Sequence, residues 1–169
     1  MTVEVLVPAA EDMRALGTRL GALLQAGDLV LLSGALGSGK TTLAQGLGGG
    51  LGVRGPVTSP TFVIARVHPS TVGGPPMVHV DAYRLTGWDE LEDLDLEASL
   101  DDAVTVVEWG SGLAEGLADD RLELTIDRAE ATMAEPSGAD GPRRVVVRGC
   151  GRRWTGVDLG VLRSRPAGV

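Results

Sequence analysis

Lysine is nearly missing from this chain: of its 15 lysine and arginine residues, only Lys40 is lysine. That scarcity argues against a guanine-specific switch protein, because such proteins read the base through an Asn-Lys-x-Asp element and no second lysine remains to build one. Cysteine is as scarce. Cys150 stands alone, which excludes an internal disulfide framework and suits a reducing compartment. No apolar run approaches the ~18 residues of a membrane span. Acidic Glu4, not a basic segment, precedes Val5-Leu6-Val7, so neither export nor a membrane is expected, and the reading is a cytoplasmic protein. Positive charge is also short. With 23 acidic residues the net charge is −8, which argues against free-standing, nonspecific nucleic-acid binding.

What is present is more specific. Gly34-Ala-Leu-Gly-Ser-Gly-Lys-Thr41 is a complete G-x-x-x-x-G-K-[ST] pattern. It follows the apolar run Leu29-Val30-Leu31-Leu32, which reads as a buried parallel strand. It precedes a helix over 41–51 marked by Leu43, Leu47 and Leu51. Gly34, Gly37 and Gly39 free the backbone to turn successive N–H groups onto a phosphate at the positive end of that helix. In a chain that otherwise writes positive charge as arginine, Lys40 supplies a compact ammonium for the β and γ phosphates, and the Thr41 hydroxyl falls where it can ligate Mg²⁺. The competing reading is a glycine-rich turn in a chain of 25 glycines.

The remaining pattern is that of one α/β domain over 1–150 followed by a basic tail, 151–169, with little apolar content and expected partial disorder. Residues 10–25 form an amphipathic helix with Met13, Leu16, Leu20, Leu23 and Leu24 on one face. The helix after the glycine loop ends in the cluster Gly48-Gly49-Gly50 and Gly52. Strands are expected at 62–65 and 77–80, joined as a hairpin, at 103–107, and at 122–126 and 145–147, with helical patterns at 88–100 and 111–117. Asp81 and Glu108 each follow an apolar strand. At the carboxyl ends of parallel strands they would meet the glycine loop, one carboxylate to orient an attacking water or the metal's water shell, the other to hold the metal. The alternative for each is a helix cap. Charge is also segregated. Eight acids crowd residues 89–102, where no basic residue occurs, and arginines dominate after Gly141, as docking surfaces for charged partners or simply as solvated faces.

Four blocks, Gly34–Thr42, Ser59-Pro-Thr-Phe62, His79-Val-Asp-Ala-Tyr-Arg-Leu85 and Val107-Glu-Trp109, resemble in order and spacing the TsaE family, over roughly residues 5–127. That family is the bacterial ATPase component of the machinery that makes threonylcarbamoyladenosine in tRNAs reading ANN codons. The resemblance implies a P-loop NTPase fold, a three-layer α/β/α arrangement with a mixed, partly parallel sheet and an antiparallel C-terminal hairpin. It implies ATP and Mg²⁺ as ligands, TsaD and TsaB as partners, and tRNA as an indirect contact only. Residue by residue, Gly37, Ser38, Gly39, Lys40, Thr41 and Thr42 would bind the phosphates, Thr41 and Glu108 would hold Mg²⁺, and Lys40, Asp81 and Glu108 would serve hydrolysis. Ser59–Phe62 resembles a switch-like loop, the alternative being a proline-stiffened turn. Arg84 is open between a phosphate or partner contact and an ion pair with the acidic helix. Tyr83 and Trp109 are open between core packing and contact with TsaD or adenine. Base-contacting positions have no clear match, and only Ala10–Asp12 and Arg143 are suggested as neighbours of the base. Two other classes remain: a small-molecule or nucleoside kinase on the same fold, with Asp81 as base, and a nucleotide-gated adaptor without physiological turnover.

Overall fold

A strand whose every residue is apolar must be covered on both faces, and Leu29–Leu32 takes that place at the centre of the molecule. The computed structural model describes residues 1–58, 64–129 and 141–163. Its order is β1 (Thr2–Val7), α1 (Ala10–Gly21), β2 (Leu29–Gly34), α2 (Lys40–Leu51), β3 (Ala65–His68), β4 (Met77–Asp81), α3 (Trp88–Glu92), α4 (Glu97–Leu100), β5 (Val104–Glu108), β6 (Arg121–Arg128) and β7 (Arg143–Cys150), with single 3₁₀ turns at Glu115–Leu117, Arg152–Trp154 and Leu159–Arg163. The strands form one seven-stranded sheet in the order β1-β7-β6-β2-β5-β4-β3. β2 runs parallel to β5 and β6, and β4 parallel to β5, whereas β3, β7 and β1 are antiparallel additions. The expected mixed α/β sheet and the β6–β7 hairpin are therefore present. Among the described residues no helix is long and apolar enough to cross a membrane.

Burial divides the sheet into two halves. β2, β4 and β5 are buried almost throughout: one face meets α1 and α2 through Val30, Leu32, Met77, Val104 and Val106, and the other meets α3, α4 and the 110–118 segment through Leu29, Leu31, Val78, Val80 and Val107. β6, β7 and β1 instead alternate, and only their inward residues, such as Leu122, Leu124, Val145, Val147, Val3 and Val5, join the first core. Solvent faces their other side. β1 was not expected as a strand, although the period-two spacing of Val3, Val5 and Val7 is the signal for one.

Three expectations are refined or revised. The helix expected over 41–51 is present as Lys40–Leu51 and stops, within the expected glycine cluster, at left-handed Gly52 (φ 69°), while the glycines at 48–50 lie inside it. Their reason is packing. Gly17 and Gly21 of α1 lie against Gly46 and Gly50 of α2, where a Cβ on Gly46 would sit 2.9 Å from the Gly17 Cα, and one on Gly21 would sit 3.0 Å from the Gly50 Cα. The two helices thus touch backbone to backbone. Secondly, the first strand of the hairpin runs on to His68, three residues beyond its expected end, because its ladder with Met77–Val80 places His68 opposite Met77; Phe62 and Val63 lie outside the described residues. Thirdly, the segment after Gly151 does supply core: Trp154, Leu159 and Leu162 are each at most 1% exposed. Arg153 fastens it by donating from Nε and Nη2 to the two oxygens of buried Asp28, at 3.1 Å each, and from Nη2 to the Leu23 carbonyl at 2.8 Å. The Ser59–Phe62 loop, residues 130–140 of the hairpin loop and residues 164–169 lie outside the described residues.

Two outcomes follow from this packing. Gly46→Ala should destabilise the fold by about 2 kcal/mol, because the neighbour it meets is backbone that cannot rotate away. Gly49→Ala, on the exposed side of the same helix with nothing nearer than Thr18 Oγ1 at 3.9 Å, should stabilise by about 0.5–1 kcal/mol, both read from urea unfolding. At the end of β3, burial and then the neighbouring His79 lower the pKa of His68 below its ordinary 6.5. The folded chain therefore binds fewer protons there than the unfolded one. Unfolding free energy should fall as pH drops below 6.5, and His68→Gln should flatten that slope in urea titrations at stepped pH.

Candidate functional site

β2 ends at Gly34, β4 at Asp81 and β5 at Glu108, all three strands pointing the same way, so their carboxyl ends open onto one edge of the sheet. Register does the fine placement. Asp81 stands directly opposite Glu108, two parallel neighbours roughly 4.8 Å apart in the hydrogen-bonding direction. Above them the chain leaves β2, turns through left-handed Gly37 (φ 74°) and Gly39 (φ 109°), and enters α2 at Lys40. A Cβ at Gly34 would meet the Ile126 carbonyl at 2.5 Å and Ser38 Oγ at 2.6 Å, so no larger residue fits where the loop begins. At Gly37 the same Cβ would meet nothing within 4 Å, so glycine there answers to the left-handed backbone and not to crowding.

That space is a cavity of about 310 Å³ lined by Leu36, Gly37, Gly39, Lys40, Thr41, Thr42, Asp81, Glu108 and the rings of Tyr83 and Trp109. Lys40 is buried. Its Nζ donates to the carbonyls of Gly34 (2.7 Å) and Ala35 (3.0 Å) and lies 3.8 Å from the centroid of the Trp109 ring. Burial lowers the Lys40 pKa, and the charges of Glu108 and then Asp81 oppose that shift. Thr41 Oγ1 donates to Glu108, 3.1 Å from Oε1 and 3.4 Å from Oε2, and His79 Nε2 lies 2.8 Å from Oε1. Asp81 accepts the Tyr83 N–H at 3.0 Å, which closes a local turn and holds the carboxylate at the cavity wall.

The structure thus places the residues expected to bind phosphates, metal and the attacking water at one end of the sheet. Gly37, Gly39, Lys40, Thr41, Thr42, Asp81 and Glu108 share one cavity, and Ser38 lines the adjoining one. Tyr83 is cavity wall rather than core. It is 64% exposed, and its ring lies 5.0 Å from that of Trp109. Trp109 itself adopts a left-handed backbone (φ 62°), a conformation that costs a residue with a Cβ about 1–2 kcal/mol. Its N–H still donates to Leu32 O at 2.9 Å, so the strand order continues past the bend. Sequence reasoning missed His79, whose only signal is a polar side chain two residues before Asp81 in an otherwise apolar strand. It also missed the ring of Trp109 over Lys40, which no spacing in the sequence announces.

The donor chemistry suits a hard divalent ion. Thr41, Glu108 and Asp81 offer oxygen only, and among the described residues no cluster of three His, Cys, Asp or Glu side chains is arranged to hold a metal alone. A cation that keeps several waters and takes the rest of its oxygens from phosphates fits such a sparse set. Buried Ser38 Oγ has no hydrogen-bond partner, a further polar group facing into the loop without an internal acceptor or donor. On the far side of the loop a second cavity of about 370 Å³ is walled by Val7, Pro8, Ala9, Ala10, Met13 and Arg143. Ala10 and Arg143 are therefore placed where a base neighbour was suggested. Asp12 is turned away from this wall to accept the Ala9 N–H at 3.1 Å at the start of α1.

Known proteins resemble this chain in sequence and in overall fold. The family model described as threonylcarbamoyl adenosine biosynthesis protein TsaE matches residues 7–135. A tRNA threonylcarbamoyladenosine biosynthesis protein TsaE from Streptomyces coelicolor is 64% identical over 151 residues, covering 89% of this chain and 99% of the relative. The protein of that name from Mycobacterium tuberculosis is 53% identical over 129 residues, 72% of this chain and 77% of the relative. Among solved structures, the crystal structure of YdiB from Bacillus subtilis superposes with a TM-score of 0.71 at 28% identity, covering 91% of this chain and 89% of that one.

Proposed function

We propose that this chain, which belongs to the TsaE family of threonylcarbamoyl adenosine biosynthesis, is the Mg²⁺-dependent ATP-binding and hydrolysing subunit of that tRNA-modification system. The observation that carries the reading is the meeting of a left-handed glycine loop, a buried lysine and a Thr41–Glu108 hydrogen bond at the carboxyl ends of parallel strands. Backbone N–H groups from Gly37 to Thr42, at the positive end of α2, bind the phosphates. Lys40 exchanges its contacts with the Gly34 and Ala35 carbonyls for phosphate oxygens and offsets charge that develops during transfer. Bound Mg²⁺ neutralises phosphate charge, and Thr41 and Glu108 are the residues that would hold it. Asp81, beside Glu108, orients the attacking water or accepts its proton. The base lies in the apolar cavity between the loop and the β1–α1 junction, with Ala10 and Arg143 at its wall. The chain acts in the cytoplasm with TsaD and TsaB, and hydrolysis resets their complex for another turnover.

Purified protein should hydrolyse MgATP slowly. Lys40→Ala and Glu108→Ala should each reduce the rate by about 100-fold or more, with no phosphate appearing on small-molecule acceptors. A phosphorylated acceptor, or hydrolysis unaffected by both substitutions, would overturn the reading. Copurification of TsaD and TsaB from cytosol should depend on nucleotide. Trp154 is buried in the core and Trp88 packs against Gly116, so only Trp109 of the three tryptophans borders the cavity. Adding MgATP should change tryptophan emission, chelation of the metal should reverse most of the change, and Trp109→Phe should remove it.

A further inference from the structure

His79 is completely buried on β4, on the same face as Met77 and Asp81. A polar ring at such a position is costly unless its hydrogen bonds are made. Only one of them is. Nε2 lies 2.8 Å from Glu108 Oε1, while Nδ1 has no partner. The two tautomers are therefore unequal. With the proton on Nε2, the ring donates to a carboxylate and buries a bare lone pair at Nδ1. With the proton on Nδ1, two acceptors would face each other at 2.8 Å and an unpaired N–H would be buried as well. The first arrangement is the one the geometry permits. Met77, next but one along the same face, shows that an apolar side chain packs well against this core. A histidine that satisfies only half its polar atoms is a poor packing choice, and its one good contact is to the carboxylate of the site.

The consequence falls on Glu108. Oε1 receives both His79 Nε2 and the shorter of the two Thr41 contacts, whereas among the described residues Oε2 receives Thr41 Oγ1 at 3.4 Å. Two donors from different elements, one on β4 and one at the head of α2, thus converge on Oε1 of a carboxylate that lines the cavity.

We propose that His79 is a positioning residue that locks Glu108 through Oε1, so that Oε2 and the Thr41 hydroxyl together present a preset pair of oxygens to the divalent cation. The inference rests on the reading of the site as a Mg²⁺–nucleotide site. Donors behind a metal-binding carboxylate commonly change metal affinity by about 10–100-fold when removed. They do not touch the nucleotide itself.

The chain holds only two histidines, so a long-range ¹H–¹⁵N spectrum of the nucleotide-free protein at neutral pH can be assigned with one variant, His68→Gln. His79 should show a protected Nε2–H and a bare Nδ1, and Glu108→Gln should shift that proton. A proton on Nδ1 alone overturns the proposal. By calorimetry with a non-hydrolysable ATP analogue, His79→Phe should raise the Mg²⁺ concentration needed for half-maximal tight binding by about 10–100-fold. Analogue binding in EDTA should be unchanged, and His79→Gln, whose amide donates from the same reach as Nε2, should recover most of the loss. An unchanged Mg²⁺ requirement in His79→Phe, or an equal loss of binding in EDTA, overturns the role of His79 alone. Failure of the unaltered chain to bind the Mg²⁺–analogue complex would instead overturn the reading of the site.

Discussion

An ionised carboxylate only 3% exposed, at the end of a central strand, is stable only where donors surround it, and Glu108 is such a group. Its donors come from β4 and α2, so the position of that helix against the sheet and the register of two parallel strands are both expressed in one side chain. Buried Lys40 contributes the opposing charge nearby, and Glu108 is the larger of the two carboxylate influences on it. Among the described residues Asp28 is another buried carboxylate, and there Arg153 binds both oxygens in a structural fastening.

The approach of α1 to α2 sets where the loop can be. Gly17, Gly21, Gly46 and Gly50 let the two helices meet at the backbone, so α1 lies directly beside the helix that starts at Lys40. The same packing leaves the β1–α1 junction beside Gly39 and Thr42, which creates the second, apolar cavity. The four glycines between the helices line neither cavity.

The sheet is covered on both faces only around β2, β5 and β4, which is where the charged strand ends lie. Covering both faces keeps water away from the sides of the site and leaves the sheet edge as its opening. The antiparallel strands β6, β7 and β1 carry their core on one side, and this suits residues such as Arg121, Glu123 and Arg148, which pair on the outer face.

The glycine loop, its lysine and threonine, the strand before it and the helix after it were legible because each is a local matter: φ freedom, side-chain reach and periodicity act within about ten residues. Asp81 and Glu108 were legible as carboxylates ending apolar strands, though their meeting rested on the general rule for parallel sheets. Other features were hidden. Gly50 looks like part of a helix stop until Gly21 of a second helix lies against it, and Trp154 looks like part of a loose tail until Asp28 captures the arginine beside it. His79 carries no motif of its own that assigns it to the carboxylate. The amino-acid order by itself determined which chemical groups are available and which short segments hold them. Only the tertiary structure decided that Oε1 of Glu108 is held by both His79 and Thr41, because that depends on contacts between residues 29 and 67 positions apart in the chain, and no local spacing encodes them.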